Sequence, residues 1–295
     1  MIGISGCGDD HSSPDIEAAA VRAQMAWDSA QQQYEEVQDN ERRLIRSCLV
    51  EKGFEIFPEE SVPPKETDDS RPSVSSDPVE AARVGYGYDP RRLPKPDSVA
   101  DNSAYAKTPD SYKSALTLAK YGPPSEAVSF TTPNGTIVDI PRAGCTGEIR
   151  EALYGDLKEF LRLSFTAENL VRLDTSSGIK EHPKVLAVVG PWRKCVKEAG
   201  YSGIQFPRDM RDKARDLYKG IERSDEEALD AAAASEIKIA TVEATCTRSV
   251  ALDEAVAAAR AEGSVKSLAK YEPDLVAWNA LVREASAKAQ EMLKA

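Results

Sequence analysis

A motif of the form Cys-x4-Gly-aromatic occurs twice and constrains the fold more than any other feature of this sequence. The first copy runs from Cys48 to Phe54, and the second runs from Cys195 to Tyr201. Each copy is typical of the end of a helix, because glycine adopts the left-handed conformation there and the next apolar residue folds back against the helix. The sequence therefore predicts two helices that each end close to a cysteine.

One further cysteine lies downstream of each copy, Cys145 after the first and Cys246 after the second. Four cysteines allow three connectivities. The duplicated motif favours pairing within each copy, which gives Cys48–Cys145 and Cys195–Cys246. Two such disulfides indicate an oxidising compartment outside the cytoplasm. The rival interpretation is a zinc site, but the CxxC or HxxxH spacing that it needs is absent, so we predict no metal and no cofactor.

The N-terminus contains the sequence Ile4-Ser5-Gly6-Cys7, followed by a small and acidic stretch. These four residues resemble the lipobox of bacterial lipoproteins, in which the signal is cut just before a cysteine that carries lipid. A signal peptide has a charged and an apolar region before that site, whereas only six residues precede Cys7, so this interpretation expects further residues upstream. It predicts that residues 1–14 are a tether and that lipid on Cys7 anchors the protein to the outer face of the membrane.

In two long segments, mostly apolar residues recur at steps of three and four without interruption, which places them on one face of a helix. We call each such row of residues a seam. The first seam consists of Ile16, Ala20, Ala23, Trp27, Ala30, Tyr34, Val37, Glu41, Leu44 and Cys48. The second consists of Leu268, Tyr271, Leu275, Trp278, Val282, Ala285, Ala289 and Met292. Such seams are typical of helices that pack lengthwise on other helices. We expect the last helix to form an antiparallel hairpin with the helix before it, with the turn at Gly263-Ser264.

One short stretch has β character. Residues 127–140 contain two β-rich runs separated by Asn134-Gly135, which is typical of a tight β-hairpin. By contrast, residues 58–78 are rich in proline, serine and acidic residues, which predicts a disordered loop.

The predicted fold class is therefore mainly α. We expect an elongated helical bundle with a C-terminal antiparallel helical hairpin, one small β-hairpin and two disulfides. A long N-terminal helix over residues 15–57 and a helical body over residues 79–295 are expected to form one composite domain.

The sequence offers little for catalysis. It has two histidines, and neither has an evident nucleophile partner. Walker, GxGxxG, HExxH and EF-hand sequences are absent. The net charge of −11 opposes binding to nucleic acid through its phosphates. We therefore predict no catalytic residues and no nucleic-acid partner. Carboxylates that meet only in the folded chain keep a peptidoglycan hydrolase as an alternative.

Four aromatic residues are candidates for ligand binding: Tyr86, Tyr88, Trp192 and Tyr201. The two tyrosines of the Gly-Tyr-Gly-Tyr sequence alternate with glycines, which would let them line a groove, and the other two flank the second cysteine motif. The alternative is that these rings pack loops onto helices.

Several short motifs occur in order over most of residues 40–290. They are Arg46-x-Cys48-Leu-x3-Gly53-Phe54, Gly85-Tyr-Gly-Tyr88, Gly144-Cys145 with Leu153-Tyr-Gly155, Trp192-x2-Cys195-Val-x3-Gly200-Tyr201, and Ala244-Thr-Cys246. Together they resemble uncharacterised secreted lipoproteins of actinobacteria, although that family often has Cys-Met where this chain has Cys195-Val196. The resemblance implies a helical, lipid-anchored protein outside the cytoplasm, often encoded beside ABC exporter systems, and it implies no reaction.

These observations favour a non-enzymatic envelope protein that binds a ligand or a partner outside the membrane, such as a component of an ABC export system or a peptide. The alternative is an immunity lipoprotein that sequesters a peptide antibiotic or shields lipid II.

Overall fold

The structure is a computed structural model that describes residues 13–58, 76–92, 103–133 and 135–294. Cys7, with most of the predicted tether and most of the predicted loop 58–78, lies outside the described residues. The chain divides into two compact units. Unit 1 comprises Met1–Glu59, Ser103–Ser177 and Glu262–Ala295, and unit 2 comprises Glu60–Asn102 and Gly178–Ala261.

The described chain is mainly α-helical, as the sequence predicts. Its elements in chain order are α1 (Pro14–Glu51), α2 (Pro78–Val84), α3 (Asp110–Tyr121), β1 (Ala127–Thr131), β2 (Ile137–Pro141), α4 (Gly144–Tyr154), α5 (Leu157–Phe165), α6 (Val171–Ser176), α7 (Pro183–Glu198), α8 (Pro207–Asp216), α9 (Glu226–Ser249) and α10 (Leu252–Met292). A π-helical turn over Thr166–Leu170 joins α5 to α6, and short 3-10 turns occur at Pro124–Glu126 and Ile179–Glu181.

The two predicted seams form much of the core of unit 1. Its buried apolar residues are Ala20, Ala23, Ala30, Val37 and Leu44 of α1 and Leu268, Leu275, Trp278, Val282, Ala285 and Ala289 of α10, joined by residues of α4, α5 and α6. Trp278 is fully buried, and its ring lies 4.9 Å from that of Tyr34 and 6.0 Å from that of Phe160. Burial of such aromatic rings contributes strongly to a core of this size.

Glu41, the single charged residue of the first seam, is buried in this core and is 6% exposed. Its carboxylate accepts hydrogen bonds from Arg150 Nε at 2.7 Å and from the Tyr154 hydroxyl at 3.0 Å. A carboxylate can be buried without a large loss of stability when a cation and a second donor satisfy it. Burial, followed by the charge of Glu41, raises the pKa of Tyr154.

The last two helices are joined at a different place from the predicted one. Only Val250 and Ala251 separate α9 from α10, and Ala251 has a φ of 54°, which a residue other than glycine adopts rarely. Gly263 lies inside α10, where an added Cβ would come within 2.9 Å of the Thr175 carbonyl oxygen. The glycine permits a close backbone approach and not a turn, so the predicted turn at this position is wrong.

The β-hairpin is confirmed. Strands β1 and β2 pair antiparallel, with Ala127 opposite Pro141 and Thr131 opposite Ile137. Alternate residues of each strand are exposed, and the intervening ones are partly buried. The ring of Phe130, on the inner face, lies 5.8 Å from that of Phe165 in α5. The hairpin therefore has an inner face on the helices and an outer face that is accessible.

The core of unit 2 is built from α2, α7, α8, α9 and the first part of α10. Its buried apolar residues are Ala81, Tyr86, Val185, Trp192, Val196, Met210, Ala214, Ile239, Ala240, Ala244, Cys246, Leu252 and Ala259. The last two belong to α10 and share this core with α9. The beginning of α10 therefore packs in one core with α9, and its seam from Leu268 onwards packs in the core of unit 1.

Both predicted disulfides are confirmed. Cys48 is bonded to Cys145 with a Cα–Cα distance of 5.8 Å, and Cys195 is bonded to Cys246 at 5.7 Å. The first bond lies within unit 1 and the second within unit 2. Each unit thus has one covalent cross-link, as the duplicated motif predicts.

The two copies of the motif also have the same local geometry. Gly53 and Gly200 have φ values of 89° and 96°, which only glycine adopts readily. The N–H of Phe54 donates to the Leu49 carbonyl at 3.0 Å, and the N–H of Tyr201 donates to the equivalent carbonyl at 3.1 Å. This is the Schellman ending expected from the sequence.

An arginine two residues before each first cysteine completes the repeat. The guanidinium carbon of Arg46 lies 4.7 Å from the centre of the Phe57 ring, and that of Arg193 lies 5.5 Å from the centre of the Phe206 ring. These cation–π contacts hold the chain that leaves each helix against its last turns. Phe57 and Phe206 therefore belong to the structural framework.

The start of α4 leads to a first testable prediction. A Cβ at Gly147 would lie 2.1 Å from the backbone carbon and oxygen of Arg142, so the backbone would have to move. We expect Gly147→Ala to lower the free energy of unfolding by about 3 kcal/mol, at the upper end of the cost of overpacking. Glu151→Ala, at an exposed position of the same helix, should change it by less than about 0.5 kcal/mol. Denaturant unfolding measures both, and equal effects would contradict the prediction.

Candidate functional site

An open cleft lies in unit 1 between α3 and the outer face of the β-hairpin. Its volume is about 680 Å³. The residues that line it are Lys113, Ser114, Thr117, Leu118, Tyr121, Gly122, Pro123, Pro124, Glu126, Ala127, Asp139, Ile140 and Pro141. A volume of several hundred Å³ with mostly apolar walls is typical of ligand sites.

The walls of the cleft expose apolar side chains that the core does not use. Leu118 is 57% exposed and Tyr121 is 43% exposed. Ile137, which is 63% exposed, shares the outer strand face with Asp139 and extends the apolar surface beyond the cleft. Exposed apolar side chains of this kind are typical of surfaces that bind partners.

Three charged side chains line the cleft. Lys113 is already engaged, because its ammonium donates to the Ala106 carbonyl at 3.2 Å and lies 3.9 Å from the Asp110 carboxylate. Asp139 accepts a hydrogen bond from the Ser129 hydroxyl at 2.5 Å and remains exposed. Glu126 is exposed, and no side-chain partner engages it among the described residues. The cleft therefore presents two carboxylates that have no cationic partner within the described chain.

A close backbone contact fixes the α3 wall of the cleft. Gly122, which ends α3, and Gly144, which begins α4, both have a φ of 68°. A Cβ at Gly122 would come within 2.5 Å of the Ala143 Cβ, so the two helix ends can meet only because glycine is present. The next residue, Cys145, is cross-linked to α1. The cleft is thus held by rigid elements and not by loops alone.

The four predicted ligand-binding aromatics lie in unit 2 and do not line this cleft. Tyr86 is 2% exposed and Trp192 is fully buried. The Trp192 indole N–H donates to the Thr247 hydroxyl at 3.1 Å. Tyr88 and Tyr201 are partly exposed and pack against the same core. The structure therefore places these rings in the framework, because their apolar faces complete the core and the polar groups of Tyr86 and Trp192 have partners.

Glu236 of α9 holds the Gly-Tyr-Gly-Tyr loop in place. It is 2% exposed, and its Oε1 accepts hydrogen bonds from the backbone N–H of Tyr86 at 2.7 Å and of Tyr88 at 3.1 Å. Its Oε2 accepts a hydrogen bond from the Tyr218 hydroxyl. A Cβ at Gly85 would come within 2.9 Å of the same carboxylate. The glycine is needed so that the loop can approach this buried acceptor.

Glu243 lies two turns further along α9 and is 3% exposed. Its carboxylate accepts hydrogen bonds from the Tyr86 hydroxyl at 2.5 Å and from Arg211 at 2.9 Å. Burial raises the pKa of Glu243, and burial with the nearby Glu243 charge raises the pKa of Tyr86. The arrangement satisfies buried polar groups, so we assign it to the framework.

The sequence interpretation missed both the cleft residues and these buried glutamates. Glu236, Glu243 and Cys246 recur on α9 at steps of seven and three, which places them on one helix face. That spacing could have indicated buried carboxylates. The cleft residues give no such signal, because they come from a helix, a turn and two strands that meet only in the folded chain.

Among the described residues, Cys48, Cys145 and Glu148 are a group with suitable ligand types and spacing for a metal, with ligand atoms within 4.8 Å of one another. The two sulfurs are bonded to each other, so neither is a thiolate ligand.

In the part of the chain that the structure describes, no helix has the length and apolar character needed to cross a membrane.

No protein-family model, curated protein or solved structure matches this chain.

Proposed function

We propose that this chain is a non-enzymatic protein of the cell envelope, anchored by lipid on Cys7, that binds a partner outside the membrane through the cleft of unit 1. The observation that carries the binding proposal is the cleft itself. Exposed apolar side chains on a rigid, cross-linked support are typical of a binding surface.

The two disulfides support the proposed compartment. Disulfides form and persist in oxidising environments outside the cytoplasm, whereas cytoplasmic thiols are kept reduced. Each unit here has one such bond. Together with the lipobox-like sequence before Cys7, they favour a protein held at the outer face of the membrane. A component of an export system and an immunity protein that sequesters a peptide antibiotic are both forms of this function.

Site-specific photo-crosslinking in intact cells tests the proposal. A photoreactive residue in place of Leu118 should give a discrete adduct with an envelope molecule, identified by mass spectrometry. The matched control replaces Leu173, which is 48% exposed in α6 and does not line the cleft. This control should give no such adduct.

A second experiment tests the lipid anchor. A Cys7→Ala variant should leave the membrane fraction. An adduct at both positions or at neither, or a Cys7→Ala variant that stays with the membrane, would count against the proposal.

A hydrolase is the second candidate, because Glu126 and Asp139 both line the cleft. Glycoside hydrolysis uses a pair of carboxyl groups, one of which stays protonated through burial. Both side chains here are exposed, unlike the buried acid of such a pair, so this candidate ranks second. Release of soluble fragments from purified peptidoglycan by the wild-type protein, and not by Glu126→Gln, would favour the hydrolase over the binding protein.

A further inference from the structure

We infer that the cleft binds an extended peptide segment in which apolar side chains alternate with lysine or arginine. This inference rests on the proposed function, because it names the class of ligand for the same cleft. It is carried by the shape of the cleft, by the distribution of its apolar residues and by its uncompensated carboxylates.

The shape favours a chain segment over a compact small molecule. The cleft has about 680 Å³ but is open to solvent, since most of the residues that line it are exposed. Enclosed pockets bury most of the surface of a small ligand, and an open cleft cannot do this. A peptide can lie along the cleft and continue past it, over the exposed Ile137 on the same strand face.

The apolar residues provide positions for alternate side chains. Leu118 and Tyr121 stand one turn apart on the exposed side of α3, and Ala127 and Pro141 face each other across the hairpin. In an extended peptide successive side chains point to opposite sides. Every second side chain can therefore contact this apolar surface, while the others remain near the rim.

The charges favour cationic residues at those remaining positions. Glu126 and Asp139 lie on the hairpin side, and the ammonium of Lys113 is held on the α3 side by Asp110 and a backbone carbonyl. Arg142 follows the hairpin, and its backbone N–H donates to the backbone carbonyl of Glu126 at 2.9 Å, but it does not line the cleft. Two carboxylates on one wall, neither with a cationic partner among the described residues, attract lysine or arginine and repel acidic ligands.

Equilibrium binding of defined peptides to the full chain tests the inference. The probes are three fluorescently labelled nonapeptides, capped at both ends, in which leucine alternates with lysine, serine or glutamate. We expect the lysine peptide to bind about tenfold more tightly than the serine peptide, since each exposed ion pair adds a modest favourable interaction. The glutamate peptide should bind more weakly than both. Fluorescence anisotropy measures the three dissociation constants.

Two double variants separate the cleft from the overall negative charge of the protein. Glu126→Gln with Asp139→Asn should remove the preference for the lysine peptide over the serine peptide. Glu17→Gln with Glu35→Gln changes the net charge equally at exposed positions of α1 outside the cleft, and it should keep the preference. Thermal unfolding checks that both variants are folded. Equal loss of the preference in both would overturn the inference.

The outcomes also distinguish this inference from the proposed function. If the serine peptide binds as tightly as the lysine peptide, and Leu118→Asp abolishes both, the cleft is a binding site but the charge argument is wrong. If none of the peptides binds and the cleft gives no adduct in cells, both proposals fall. If the peptides bind but Leu118→Asp has no effect, the cleft is not the site and the inference falls.

Discussion

Replacing Cys48 and Cys145 together by alanine should lower the free energy of unfolding by about 4 to 5 kcal/mol. The bond joins residues separated by 97 positions, and closing a loop of about 100 residues removes that much entropy from the unfolded chain in the chain-entropy model. The measurement is denaturant unfolding followed by tryptophan fluorescence. Trp27 and Trp278 report unit 1, and Trp192 reports unit 2.

The second disulfide provides the matched comparison. Cys195→Ala with Cys246→Ala opens a bond that joins residues separated by 51 positions, so the same model expects a slightly smaller loss of about 4 kcal/mol. If the alanine variants do not fold, unfolding of the wild-type protein with and without a reductant gives the combined loss for the two bonds. A loss below about 1 kcal/mol for the longer loop would contradict the prediction.

Replacing Glu236 by alanine should destabilise the protein by about 3 kcal/mol. The substitution leaves two backbone N–H groups and the Tyr218 hydroxyl without their acceptor in a buried place, and each unsatisfied buried donor costs about 1 kcal/mol or more. Hydrogen exchange of the Tyr86 and Tyr88 amides should become faster in the variant than in the wild type. Denaturant unfolding gives the free energy.

The control for this variant is Glu227→Ala, at an exposed position in the first turn of the same helix. It should change the stability by less than about 0.5 kcal/mol, because it removes only a favourable interaction with the helix dipole. Glu236→Gln keeps one acceptor oxygen and should fall between the two. Equal stabilities of Glu227→Ala and Glu236→Ala would show that the loop is held by other contacts.

Features set by neighbours along the chain could be predicted from the sequence. The end of α1 near Gly53 could be predicted because the residue after the helix needs a positive φ. The buried face of α1 could be predicted from the regular steps of its apolar residues. The pairing of Cys48 with Cys145 followed from a repeat. The turn at Gly263 was predicted wrongly because a glycine inside a helix can also serve close packing, and its neighbour Thr175 is distant in the sequence.

The residues of the candidate site were harder to predict from the sequence than the fold. Tyr86 and Trp192 were selected because aromatic residues suit both binding surfaces and cores, and only the folded chain shows that they are buried. Leu118, Glu126 and Asp139 lie on separate elements and have no distinctive spacing. Their proximity depends on the contact between Gly122 and Gly144, which no local pattern reveals.

The order of the segments along the chain has a consequence for biosynthesis. Unit 2 ends at Ala261, whereas unit 1 needs its third segment, Glu262–Ala295. A polypeptide that emerges from its N-terminus has therefore delivered every residue of unit 2 before α1 can meet the last part of α10. Domains usually fold as they become available during synthesis. Helix α1 is thus among the last of these elements to gain its full set of neighbours, and its apolar seam stays uncovered during that interval.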